Sequence, residues 1–100
     1  MAQKGSNASE VLLRAKEMDE EIFLARLDKE ELERSGFDTS TFGFFEYVDI
    51  YLFWDDDTQQ YVLKYQFDSD PGETYYERAR DLGEDGIIDA VEKYLSIAGE

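Results

Sequence analysis

Two residue types are missing from this chain altogether, and each absence removes a class of function. There is no cysteine and no histidine among its 100 residues. Without cysteine there is no disulfide and no thiolate metal site, which fits a reducing compartment such as the cytoplasm. Without either residue, the commonest general base and the most reactive nucleophile are gone. No glycine-rich phosphate loop, Walker sequence or G-x-S-x-G elbow takes their place, so neither enzymatic activity nor a cofactor is expected. Long apolar runs are also lacking: nothing approaches the ~20 apolar residues of a membrane-spanning helix. The opening residues MAQKGSNASE have no apolar stretch of the signal-peptide kind. A cytoplasmic chain is expected.

Positive charge is scarce. Twenty-five acidic residues stand against ten basic ones, a net charge of −15. Between Phe37 and Thr74 there are nine acids (Asp38, Glu46, Asp49, Asp55, Asp56, Asp57, Asp68, Asp70 and Glu73) and one base, Lys64, so this segment alone carries −8 of the total. Direct binding to nucleic acid or to an anionic membrane is disfavoured, and a basic protein partner is favoured. The composition is nonetheless that of a folded protein. It is 42% hydrophobic and 15% aromatic, too rich in core-forming residues for a disordered acidic tail. One domain spanning residues 1–100 is expected, with residues 1–7 flexible.

Local signals place the elements. Asn7 can cap a helix beginning near Ala8, with Glu10 three residues on. Ala8, Val11, Leu12, Ala15, Met18, Ile22 and Ala25 recur at helical spacing, and this stripe carries the helix through the ambiguous run EIFLARL (21–27). Asp28 and Glu31 form a capping box for a second helix, Leu27 and Leu32 a hydrophobic staple. Gly36 is placed to end it, with Phe37 folding back on Leu32. Two aromatic and β-branched runs, 44–54 and 60–67, read as a β-hairpin. Pairing Trp54 with Tyr61, Leu52 with Leu63, Ile50 with Tyr65 and Val48 with Phe67 puts all eight side chains on one face, and Asp56–Gln59 becomes the loop. A slip by one residue would place Lys64 and Gln66 on the apolar face. DPGE (70–73) reads as a further helix start, with Tyr75, Tyr76, Ala79 and Leu82 on its buried side and Gly83 as its stop. A last helix from about Gly86 carries Ile87, Ile88, Val91, Tyr94, Leu95 and Ala98 on one face. The expected fold is α+β, in the order α-α-β-β-α-α, with helices packed on one face of an antiparallel hairpin. The hairpin's second face, with Tyr47, Asp49, Tyr51, Phe53, Val62, Lys64 and Gln66, is then open to a partner or to a second copy of the chain.

The aspartate-rich stretches invite a metal reading that fails position by position. An EF-hand loop from Asp68 would put Ala79 at its twelfth position, where a bidentate Glu belongs. One from Asp55 would put Gln60 where Gly is needed and Gln66 at the end. No dedicated metal site is expected. Two readings of WDDDTQQ remain. Aspartates are ordinary turn residues that also discourage edge-to-edge aggregation. Alternatively, carboxylates held on a sheet beside aromatic anchors present a negative field that steers a basic surface and then holds it. On the second reading the partner-binding residues are Asp49, Tyr51, Phe53, Asp55, Asp56, Asp57 and Lys64 on the hairpin, then Asp68 and Asp70. Glu17, Asp19, Glu20 and Glu21 form a secondary cluster. The expected function is a non-enzymatic acidic binding protein that occupies a basic, nucleic-acid-binding surface of another protein. In its most specific form this is a nucleic-acid-mimic inhibitor of a nuclease or defence complex, of the anti-restriction or anti-CRISPR kind. The alternatives are a toxin-immunity protein, or an accessory subunit whose acidity serves solubility.

Overall fold

The hairpin that the register argument requires is the centre of the fold. The computed structural model describes residues 4–40, 45–68 and 74–98. Strands β2 (Tyr47–Asp55) and β3 (Gln60–Phe67) pair antiparallel, with Val48 opposite Phe67, Ile50 opposite Tyr65, Leu52 opposite Leu63 and Trp54 opposite Tyr61. Val48, Ile50, Leu52, Leu63 and Tyr65 are fully buried, so the face chosen by period-two alternation is the core face.

The run 22–28, expected to continue the first helix, is instead strand β1 (Ile22–Asp28), paired antiparallel with β2. Helix α1 (Lys4–Glu17) ends before it, and Asp19 turns the chain with φ of 51°. Aspartate tolerates this left-handed conformation better than most residues, so no glycine marked the break. A β-bulge explains the misleading periodicity. The register shifts between Phe23 and Ala25, and both Leu24 and Ala25 are buried. The extra residue makes Ile22 and Ala25 both point inward at a spacing of three, which imitates one helical turn.

The second correction is at 74–78. Tyr75 and Tyr76 were expected on the buried side of a helix opened by DPGE. Residues 70–73 lie outside the described residues, and Thr74–Arg78 is strand β4, paired antiparallel with β3. The β-favouring Thr-Tyr-Tyr triplet meets the otherwise open edge of β3 and completes its ladder, which outweighs the local capping signal. A short helix α3 (Ala79–Leu82) follows, ended by Gly83 at φ of 82°, and helix α4 (Glu84–Ala98) closes the chain.

The architecture is therefore α+β with a four-stranded antiparallel sheet in the order β1-β2-β3-β4 and helices packed against it. Helix α2 (Lys29–Arg34) sits between β1 and β2, built as expected. Asp28 accepts from the Glu31 amide at 2.8 Å and Glu31 accepts from the Asp28 amide at 2.9 Å. At its other end the Gly36 amide bonds the Glu33 carbonyl and the Phe37 amide the Leu32 carbonyl, a Schellman closure around Gly36 at φ of 100°. The first helix departs from expectation at its start. It begins at Lys4, so Asn7 lies one turn inside rather than at the cap. Ala8, Leu12 and Ala15 of α1 and Ile87, Val91 and Tyr94 of α4, each at i, i+4, i+7, bury into the inner face of the sheet.

One buried polar chain ties three elements of this core together. The Tyr65 hydroxyl on β3 lies 2.7 Å from the Glu77 carboxylate on β4, to which it donates, and 2.7 Å from the Tyr94 hydroxyl on α4. Burial pushes the Tyr65 hydroxyl far above its ordinary range, helped by Tyr94 and Glu77, and burial likewise raises Tyr94. A tyrosine whose folded value is raised keeps its proton where the unfolded chain loses one. Its contribution is therefore whole below about pH 10 and falls as pH rises beyond it. Urea midpoints measured on either side of about pH 10 are expected to drop on the alkaline side. Tyr65→Phe should lower the neutral stability by about 0.5–1.5 kcal/mol and make the alkaline decline shallower. An unchanged alkaline slope in the variant would remove Tyr65 from the account.

Candidate functional site

With the helices on the inner face, the outer face of the sheet carries its own set of side chains. Register places Phe23, Tyr51, Lys64 and Tyr76 in one row across all four strands, and Arg26, Asp49, Gln66 and Thr74 in the next. Phe53, Val62 and Arg78 form a third. Phe23 is 53% and Tyr76 42% exposed, while Tyr47, Tyr51 and Phe53 are half-buried. The rings pack on each other edge to face, Phe23 against Tyr51 at 5.6 Å and Phe53 against Tyr76 at 6.3 Å. Val62, between Phe53 and Arg78, is fully buried although it is not part of the core cluster. This side thus buries one valine and still offers two large rings to solvent.

Two of the three cations on this face are paired with carboxylates. Arg26 grips Asp49 with two hydrogen bonds, at 2.7 and 3.1 Å, and lies 4.1 Å from the centre of the Tyr47 ring. The hydrogen bond to Asp49 raises the pKa of the guanidinium further. Lys64 contacts the Glu21 carboxylate at 3.3 Å and lies 5.4 Å from the Tyr51 ring centre. Arg78 lies 5.7 Å from that of Tyr76. Lys64 falls opposite Tyr51, as the hairpin register requires, and its carboxylate partner is Glu21. Asp49, expected as a partner-binding residue, is neutralised by Arg26 from the strand that was read as helix.

The acidic tip is built differently. Asp55 is the last residue of β2, and its carboxylate accepts from the Asp57 amide at 3.1 Å, an Asx turn. Gln59, at φ of 56°, donates its side-chain amide to the Asp56 carbonyl and carboxylate. Asp56 and Asp57 are exposed. Asp68 is a brace: its carboxylate accepts from the amides of Glu46 and Tyr47 at 2.8 and 3.2 Å and pins the start of β2. Asp70 lies outside the described residues. Trp54, expected as the last core residue of its strand, is only half-buried. It packs on Tyr61 at 4.9 Å and lies outside the core cluster, with the Lys16 ammonium 4.7 Å from its ring. The closed core stops one pair earlier, at Leu52 and Leu63.

No protein-family model, curated protein or solved structure matches this chain. Among the described residues no group of carboxylates is arranged to hold a metal ion, and no described helix is long and apolar enough to cross a membrane.

The structure thus brings Asp49, Tyr51, Phe53 and Lys64 together on the outer face and sets Asp55, Asp56 and Asp57 at its end. Phe23, Arg26, Tyr76 and Arg78 complete the face and were missed, because β1 and β4 were both read as helices. The alternation of Thr74, Tyr76 and Arg78 with Tyr75 and Glu77 was the signal for the second of these. The two roles of aspartate separate in a stability test. Replacing Asp55, Asp56 and Asp57 together by asparagine keeps the Asx acceptor, and the unfolding free energy should stay within about 0.5 kcal/mol. Asp68→Ala strands two amides and should cost about 1–3 kcal/mol. Equal losses in the two variants would make the triplet as structural as Asp68.

Proposed function

We infer that this is a non-catalytic cytoplasmic binding protein that docks a basic protein partner through the outer face of its sheet. The observation that carries this reading is that face itself: five aromatic side chains on a rigid sheet, uncovered by any described helix, in a chain of charge −15. Large rings with low rotamer entropy are the usual anchors of a protein interface. The exposed carboxylates lie at the rim and tip, where they act at long range and accelerate encounter with a basic surface. Attraction and retention are thus assigned to different residues. Asp56 and Asp57 steer, while Phe23, Tyr51, Phe53 and Tyr76 hold.

The most specific form of this proposal is inhibition of a nucleic-acid-acting protein, such as a defence nuclease, by occupation of its basic cleft. Its support is the charge balance, and the tip is where phosphate-like charge is concentrated. The internal pairing of Arg26 with Asp49 and Lys64 with Glu21 favours a second reading, an accessory subunit bound mainly by aromatic burial. Capture of partners from the native host at low and high salt, with nucleic acid as competitor, separates them. An inhibitor of the mimic type loses affinity steeply with salt and is displaced by DNA or RNA, whereas a subunit is retained under both treatments. In either case the double variant Phe23→Ala, Tyr76→Ala should weaken capture by about tenfold or more. Undiminished capture by that variant would remove the outer face from the interface.

A further inference from the structure

Beyond the outer face, the base of the hairpin tip forms a groove of about 460 Å³ against the start of α4, lined among others by Trp54, Tyr61, Gln59, Ala79 and Glu84. We propose that this groove is a receptor for an arginine side chain of the basic partner, taken up between the Trp54–Tyr61 aromatic pair and the Glu84 carboxylate. The inference rests on the reading that the partner is basic, but it names a different surface.

Three features point to a guanidinium. The chain's single tryptophan is half-buried here instead of closing the core, and it meets Tyr61 at 74°, so two aromatic planes border one space. The Tyr61 ring is fixed by its hydroxyl, which donates to the Leu12 carbonyl at 3.0 Å. The Trp54 ring already attracts one cation, the Lys16 ammonium, which sits 4.7 Å from its centre without lining the groove. Aromatic faces attract cations through their quadrupole, tryptophan most strongly. Finally, none of the described lining residues is basic, and the Gln60 side-chain amide donates to the Thr58 hydroxyl at 2.8 Å. The Gln59 amide nitrogen is spent on Asp56, which leaves its carbonyl oxygen as an acceptor. Glu84 is exposed at the first turn of α4, and its charge reaches Tyr61, whose hydroxyl is raised first by burial and then by Glu84. A planar group with five N–H donors and a stacking face matches this lining better than a compact ammonium.

The test needs no partner, because Trp54 is the only tryptophan and lines the groove, so its fluorescence reports binding there. The full chain is titrated with a tetra-arginine peptide, with tetra-lysine, and with tetra-citrulline, which keeps the shape and loses the charge. A saturable Trp54 response is expected for arginine, a weaker one for lysine and none for citrulline. Glu84→Gln should weaken arginine binding about tenfold. It removes one charge of a net −15, too little for bulk attraction to explain such a loss. No Trp54 response, an equal response to citrulline, or unchanged affinity in Glu84→Gln would each overturn the proposal. Failure here with continued capture through Phe23 and Tyr76 leaves the interface reading intact. A sound groove with undiminished capture by the Phe23, Tyr76 variant sinks the face and not the groove.

Discussion

A four-stranded sheet has two faces, and the described helices of this chain cover one. Everything else follows from that constraint. The inner face spends the aliphatic residues of β1, β2 and β3 on α1 and α4, with Leu52, Leu63, Ile87 and Val91 at zero exposure. No described helix meets the outer face, and a strand cannot place polar residues there without limit while keeping its β-favouring composition. The chain resolves the conflict with aromatic rings that pack edge to face on one another and with cations held by aromatic faces and carboxylates. Two of its cations, Arg26 and Lys64, are paired with carboxylates, which lowers the cost of leaving or burying them.

The distribution of charge is the second consequence. A net −15 disfavours a compact chain, so the carboxylates are sent to the tip and the helix ends, and the sheet is kept close to neutral. The hairpin register is what achieves this, since it sends Lys64 outward to Glu21 and Tyr51 while Leu63 and Tyr65 go inward. Arg26 does the same for Asp49 from the neighbouring strand. Neither the acidity nor the aromatic content alone describes the molecule. Its character lies in their separation into an acidic tip and an aromatic face.

How far the sequence foretold this depended on how local each determinant was. The β2–β3 register and the caps of α2 were legible because each is set within a few residues: alternation and a short loop in one case, Asp28, Glu31 and Gly36 in the other. The edge strands were not, because their identity is decided across the sheet. In β1 one extra residue at the bulge turned period two into an apparent helical spacing. In β4 the DPGE signal was local and strong, yet pairing with β3 fixes the residues after it. The tip aspartates were recognised as a feature, but their Asx bonding and the rim position of Trp54 depend on atoms that spacing does not reveal. The outer face was anticipated in its two central strands and not at its edges, so the most exposed rings, Phe23 and Tyr76, were absent from it.

The central claim is that the outer face of the sheet is open in the free protein. Aromatic ring protons report this directly through relaxation by a soluble paramagnetic agent in dilute solution. The account predicts strong enhancement for Phe23 and Tyr76 and little for Tyr65 and Tyr94, whose rings are buried on the helical side. Protection of Phe23 and Tyr76 equal to that of Tyr65 would show the face already covered in the free chain, and would contradict the account.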